Sequence, residues 1–350
     1  LITALASIFV FGLLVIGHEL GHYTVARLCG VRILEFSMGM GPKLAGWTRK
    51  GTLYALRLLP LGGFVRMAGM DEGEDQQMAP ASDPDSFMNK TVLQRMAIIF
   101  AGPLMNFLLA MIIFVTVFAF IGVPTESNAN EVGGVLKDKP AYKAGLKPGD
   151  KILAINGLPT PKWEDLTKII HGSGGKELTL TIDRKGQKQE IKVAPLEDPQ
   201  GSQYLIGIGV STAYEKKGIL EAASFGIQGT FRFTKFIILT LFQMITRQIP
   251  ADLGGPVAIV NAIGEGASQG FAYLLQFTGM MSIQLGLLNL FPIPALDGSR
   301  LVFLAVEGLR GKPLDPAKEN FIHLIGFALL ILLMVVITYN DILRLLGAKT

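Results

Sequence analysis

The chain has 350 residues, 50% of them hydrophobic, with only 17% charged and a mean hydropathy of +0.43. A soluble domain carries about 25% charge, so the composition excludes an ordinary soluble enzyme and points to a membrane. The formal net charge of +4 is not gathered into a basic stripe, which argues against a nucleic-acid partner. One cysteine, Cys29, leaves no intrachain disulfide.

A transmembrane helix needs about 20 mostly apolar residues. The first such stretch runs from Leu1 to about Leu28. No basic segment precedes it and no small-residue cleavage site precedes its polar cluster, so it is expected to be retained rather than removed as a signal peptide. The others are Met96 to Val123, Phe271 to Leu296, and about Phe321 to Tyr339. Ala222 to Thr246 is apolar but carries Arg232 and Lys235, each costing about 2.5–3.5 kcal/mol at mid-bilayer. It reads as an interfacial amphipathic helix. Lys and Arg crowd the segments between spans one and two and between spans three and four, which places both loops in the cytoplasm.

The predicted organisation has four parts. Residues 1–124 hold two spans and a cytoplasmic-side, membrane-associated β-hairpin at about 52–68. Residues 125–213 form an extracytoplasmic domain, 214–270 interfacial helices, and 271–350 the last two spans. In the hairpin, Leu53–Leu58 and Phe64–Met67 read as two strands around Pro60-Leu61-Gly62-Gly63. Met70 to Asp85 is acidic and reads as a solvated loop.

His18-Glu19-Leu20-Gly21-His22 carries the chemistry. Positions i and i+4 share one helix face, so both imidazoles can reach one ion. Glu19 adjoins the first ligand, where a carboxylate can take a proton from metal-bound water. Ionisable residues inside an apolar span are costly and mark function. A catalytic zinc takes three protein ligands plus water. Asp297, ending Asn289-Leu290-Phe291-Pro292-Ile293-Pro294-Ala295-Leu296-Asp297-Gly298, is the best third ligand. His171 lies in the outside domain, and His323 reads as an interfacial or packed histidine. Asp297 and the first-span histidines meet only if spans one and three run the same way, with a single span between them. That requirement again keeps Ala222 to Thr246 out of the membrane. Pro292 and Pro294 should break the helix beside Asp297.

Two resemblances follow. Ala144-Gly145-Leu146-Lys147-Pro148-Gly149-Asp150 through Asn156-Gly157 resembles the PDZ family. This implies a peptide groove between Leu205-Ile206-Gly207-Ile208 and the helix bearing Trp163, Leu166 and Ile170. The whole chain resembles the site-2 proteases (M50), in the RseP-like branch. The resemblance rests on the HExxH, Phe36-Ser37-Met38-Gly39-Met40-Gly41-Pro42, Gly102-Pro103-Leu104-Met105-Asn106, Gly254-Gly255-Pro256 and Leu296-Asp297-Gly298. The fold it implies is an α-helical polytopic membrane protein of four transmembrane helices, a membrane-associated β-hairpin and one inserted α/β PDZ-like domain. Well-known members of the branch carry two PDZ domains in tandem.

The activity it implies is that of a zinc metalloendopeptidase with one Zn2+ per chain, held by His18, His22 and Asp297, with Glu19 catalytic. The substrates are single-pass membrane proteins such as anti-sigma factors, or remnant signal peptides, cut at the bacterial inner membrane. Asn289, Pro292, Gly62, Gly63 and Phe64 are the implied substrate contacts, and peptide tails the implied PDZ ligands. A membrane zinc transporter and a non-catalytic PDZ scaffold are the alternatives.

Overall fold

A computed structural model describes residues 1–70, 83–126, 130–197, 203–250 and 254–345. The chain divides into two compact units, one of residues 1–119 and 219–350, the other of residues 120–218.

The first unit begins with helix α1 (Ile2–Leu28), followed by strands β1 (Ile33–Arg49) and β2 (Thr52–Met67) and by α2 (Val92–Phe120). After the inserted unit come α5 (Ile219–Ile245), α6 (Pro256–Ser268), α7 (Phe271–Leu290), α8 (Asp297–Arg310) and α9 (Pro316–Leu345). Four of these helices are long and apolar enough to cross a membrane: Ile2–Leu28, Val92–Phe120, Phe271–Leu290 and Ala317–Leu343. The third apolar stretch is therefore shorter as a helix than the sequence pattern suggests. It stops at Leu290, because Pro292 and Pro294 supply no backbone donors. Asp297 then opens a new helix rather than closing the old one.

The helices pack through small residues, as lipid-embedded helices do. A β-carbon at Gly21 would stand 2.2 Å from the carbonyl oxygen of Ala101, so α1 and α2 touch backbone to backbone. At Gly286 it would stand 3.0 Å from Pro103 O, which brings α7 against the same stretch of α2. Ser282 Oγ also donates to Asn106 O at 2.7 Å. Val10, Leu14, Ile263 and Leu274 form a buried cluster on α1, α6 and α7. Gly255 N and Ala258 N, at the start of α6, both donate to the buried carboxylate of Asp341 on α9. This satisfies donors that a helix N-terminus leaves unpaired.

The hairpin differs from the one expected. Its turn is Lys50-Gly51, with Arg49 opposite Thr52, and its arms are β1 and β2. Leu53–Leu56 and Gly63–Arg66 do not pair with one another. Both lie against residues 35–38 of β1, the first run with indices rising together, the second with indices running opposite. The buried carboxylate of Glu35 accounts for this. It receives Arg57 Nη2 at 2.5 Å and stands 3.6 Å from Arg66 Nη2, so the two runs converge on it from either side. In the acidic stretch, residues 71–82 lie outside the described residues, and Asp83 pairs with Arg32 at 2.5 Å.

The second unit is a small α/β domain. It contains β3 (Val123–Glu126), β4 (Val132–Val135), α3 (Pro140–Lys143), β5 (Lys151–Ile155), β6 (Leu158–Pro159), α4 (Trp163–His171), β7 (Leu178–Arg184), β8 (Gln187–Val193), β9 (Leu196–Glu197), β10 (Tyr204–Leu205), β11 (Ile208–Val210) and β12 (Thr212–Glu215). Its main sheet runs β6-β5-β7-β8, and β11 pairs with β4. Turns form at Asn156-Gly157 and Lys185-Gly186, all with positive φ. Ile152, Ile155, Leu166, Leu180, Ile182 and Ile206 are fully buried in its core. The Asp150 carboxylate ties Arg184 Nε at 2.7 Å and Lys147 N at 2.8 Å.

Candidate active site

The HExxH lies within α1, so the 3.6-residue period stacks His18 and His22 on one face. Their Nε2 atoms stand 3.2 Å apart. Asp297 Oδ2 lies 3.1 Å from His18 Nε2 and 3.3 Å from His22 Nε2. The three atoms form a nearly equilateral triangle. Donors about 2.0–2.1 Å from a tetrahedral zinc stand ~3.3 Å from one another. An ion just off the plane of this triangle would therefore meet all three at bonding distance and keep a fourth position open. Asp297 Oδ2 is buried and has no hydrogen-bond partner among the described residues. A buried anionic oxygen left without a donor fits a cation as its partner. The residues present therefore suit zinc.

Each imidazole is oriented from behind. His22 Nδ1 lies 2.8 Å from the carbonyl oxygen of Ile98. A carbonyl only accepts, so the proton sits on Nδ1 and the Nε2 lone pair faces the triangle. The acceptor lies next to Ile99, whose carbonyl Pro103, lacking an N–H, leaves unpaired within α2. His18 Nδ1 lies 3.1 Å from the side-chain amide of fully buried Asn106. The facing atom is Asn106 Nδ2, and Asn106 Oδ1 is buried without a partner among the described residues. With His18 Nε2 bound to a metal the ring proton moves to Nδ1, and the amide turned about its Cγ would then accept it through Oδ1. The α2 backbone also presses on the pair. At Gly102 a β-carbon would stand 2.3 Å from His22 Nε2 and 2.9 Å from His18 Cε1. The sequence marked Gly102 and Asn106 only as parts of a motif. Their role rests on contacts between helices distant in the chain.

A loop presents Asp297. Leu296 N donates to Ile293 O at 3.1 Å, and Ser299 N and Oγ both return to Leu296 O. Gly298 has no room for a side chain, since a β-carbon would lie 2.2 Å from Phe291 O. Ala295 holds a φ of 78°, a conformation disfavoured for any residue but glycine.

A cavity of about 590 Å3 opens on the site and is walled by Glu19, Gly63, Phe64, Ile99, Asp297 and His323, among others. Gly63 lies directly over Glu19. A β-carbon there would be 3.3 Å from Glu19 Cγ, and the Val65 backbone N–H faces the Glu19 carboxylate. Phe64 is held by the Arg57 guanidinium 5.1 Å above its ring. A second, apolar cavity of about 370 Å3 lies on the other side of Glu19, between α1 and β1–β2, with Gly62 on its wall. Glu19 thus borders both. Asn289 sits half-buried in the last turn of α7, and Pro292 is exposed in the break. Neither lines the 590 Å3 cavity.

In the second unit the residues expected to form a peptide groove are mostly core. Leu166, Ile170 and Ile206 are buried, Trp163 packs against that core, and Leu205 is exposed. The carbonyls of Ile206 and Gly207 already accept Ala141 N and Leu136 N, and Ile208 pairs with Val135. The Leu205–Ile208 segment and the Trp163–His171 helix thus pack on one core, with Leu205 exposed beside them.

A two-histidine, one-carboxylate triangle with an adjoining glutamate, set among membrane-length helices, defines a membrane-embedded zinc peptidase. Comparison with known proteins agrees, and the chain belongs to peptidase family M50, whose model matches residues 6–333. It is 37% identical over 337 residues to a putative zinc metalloprotease of Clostridium acetobutylicum, covering 96% of each chain. It is 35% identical over 420 residues to the regulator of sigma-W protease RasP of Bacillus subtilis, covering 98% of this chain and 99% of that one. A probable protease, eep, of Enterococcus faecalis is 33% identical over 418 residues. Among solved structures, the PDZ domain of an SdrC-like protein of Listeria monocytogenes matches 25% of this chain at 23% identity and a TM-score of 0.22. The protein is thus a polytopic membrane zinc metalloprotease of the site-2 type, with an inserted α/β domain.

Proposed function

We propose that the protein cleaves the transmembrane segments of single-pass membrane proteins, anti-sigma factors and remnant signal peptides among them, using one zinc per chain. The observation that carries this reading is the triangle of His18, His22 and Asp297 inside the helical unit. Zinc bound there would lower the pKa of its water towards about 7 and polarise a carbonyl.

The chain's own residues do the rest. Asn106 and Ile98 O hold the imidazoles in the tautomer that faces the metal. Glu19 takes a proton from the attacking water and returns it to the leaving nitrogen. A peptide bond inside a helix is shielded and must first be unwound. Two features support unwinding at this site. The Gly63–Met67 run pairs with β1 on one side, and among the described residues no strand is paired with its outer edge, where an extended substrate could add as a strand. The apolar cavity beside Glu19 suits the side chains of a hydrophobic segment. The basic residues flanking the spans favour a zinc site towards the cytoplasm and a PDZ-like domain outside. The reading includes docking of peptide tails at that domain, beside the Leu205–Ile208 segment and the Trp163–His171 helix that pack together there.

The test is cleavage of a single-pass substrate by purified protein in detergent, with metal content measured on the same sample. Glu19→Gln should keep zinc and lose turnover by at least about 100-fold. Stoichiometric zinc with no cleavage of any single-pass substrate offered would overturn the proposed substrate class.

A further inference from the structure

His323, on α9, is a third imidazole at the cavity that holds the metal triangle. The sequence marked it as interfacial or packed, but its side chain is only 16% exposed and its two ring nitrogens are unequal. Nδ1 accepts the N–H of Ala295 at 3.0 Å. A ring nitrogen that accepts carries no proton, so in the neutral ring the proton is on Nε2. Nε2 is buried and has no hydrogen-bond partner among the described residues. Glu319 Oε1, one helical turn back, is 3.8 Å away and out of reach. A buried donor with nothing to donate to calls for a function.

The ring cannot easily turn away. It stands edge-on to Phe303, with centroids 5.5 Å apart and planes at 89°. Its helix is seated against the loop at Gly326, where a β-carbon would lie 2.2 Å from Pro294 Cβ. The peptide that His323 holds is that of Ala295, the residue of φ 78° two places before Asp297. The same bond steadies the strained loop and fixes the proton of the neutral ring on Nε2.

We propose that His323 is a further catalytic residue, whose Nε2–H donates a hydrogen bond to the scissile carbonyl oxygen as that oxygen gains negative charge. The inference rests on the peptidase reading above. As the water oxygen bonds to the carbonyl carbon, the π pair of the C=O bond moves onto its oxygen, and Nε2–H stabilises that charge while keeping its proton. The water's proton goes to Glu19. The oxygen's pair then re-forms the C=O bond as the C–N bond breaks. The nitrogen leaves with that bond's electron pair and takes the proton from Glu19, so the His323 ring stays neutral throughout. Donors fixed in advance at such a position typically contribute about 10²–10³ in turnover.

Two substitutions separate the two nitrogens. His323→Asn places an acceptor near Nδ1 and removes the Nε2 donor, whereas His323→Gln places an amide donor near Nε2. The zinc-loaded full chain is compared by metal content, by kcat and KM on a single-pass substrate, and by direct binding of two probes. One probe is a phosphonamidate peptide, which mimics the tetrahedral anion, and the other is the matching uncleaved amide.

His323→Asn is expected to keep its zinc and hold KM within about 2-fold, with kcat down about 10²–10³-fold. Phosphonamidate binding should fall by a similar factor while amide binding is unchanged. His323→Gln should regain at least about 10-fold of kcat over Asn. Cleavage by His323→Asn within about 3-fold of wild type would overturn the proposal, as would zinc loss or equal weakening of both probes. A wild-type protein without zinc would sink the peptidase reading itself, and this proposal with it.

Discussion

Gly102 passes so close to His22 that a β-carbon on it would stand 2.3 Å from Nε2, the atom that faces the metal triangle. The imidazole occupies the space that any larger residue would need. Gly102→Ala is therefore expected to lower zinc affinity at least about 100-fold and to abolish cleavage, although no ligand is changed. Metal titration checks this, with thermal unfolding as the control for a folded bundle. Unchanged zinc affinity would show that α2 does not set the ligand geometry.

Asn106 acts one shell further out. Its amide is 3.1 Å from His18 Nδ1, and the residue is fully buried. Asn106→Ala should weaken zinc binding about 10–100-fold, the usual cost of losing an orienting partner. Asn106→Asp should retain it, because a carboxylate also accepts from Nδ1–H. Equal losses in both variants would point to packing rather than to orientation.

Much of the site was legible in the sequence because helical spacing is a strong rule. His18 and His22 had to share a face, and the direction of the spans brought Asp297 to the same end. What escaped was non-local. The His22–Ile98 and His18–Asn106 bonds join α1 to α2 and follow no periodicity. β1 was not recognised as a strand, because Gly39, Gly41, Pro42 and Gly46 break its alternation. Its pairing is fixed instead by the buried Glu35–Arg57 contact. In the inserted domain, likewise, sequence likeness marks positions but does not show that Leu166 and Ile206 are buried in the core.

Arg95 and Glu307 join the start of α2 to the end of α8 as a bidentate pair, at 2.5 and 3.1 Å, and both side chains are largely buried. Glu307→Gln leaves a buried guanidinium without its counter-charge and should cost about 3–5 kcal/mol. Because α8 begins at Asp297, the variant should also lose zinc at a lower denaturant concentration than wild type. A variant as stable as wild type in denaturant titrations would contradict this.

The inserted 120–218 unit should show an acid limb set by Asp150. Burial pushes its carboxyl up, but hydrogen bonds from Arg184 and Lys147 N pull it down further, leaving it below the ordinary 3.8. A carboxyl lowered on folding adds stability above its unfolded value, and that stability is lost as pH falls through the folded one. Urea unfolding of the 120–218 unit should therefore show declining stability below about pH 4. Asp150→Asn should flatten that decline and cost about 2–3 kcal/mol at pH 7. An undiminished acid limb in the variant would assign the effect to other groups.

The most direct measurement is zinc K-edge absorption on the purified protein, beside Asp297→Asn. The account predicts one zinc with two imidazole nitrogens at about 2.0–2.1 Å and two oxygens, and loss of this shell or its metal in the variant. A wild-type shell lacking two imidazoles, or one that Asp297→Asn leaves unaltered, would contradict it.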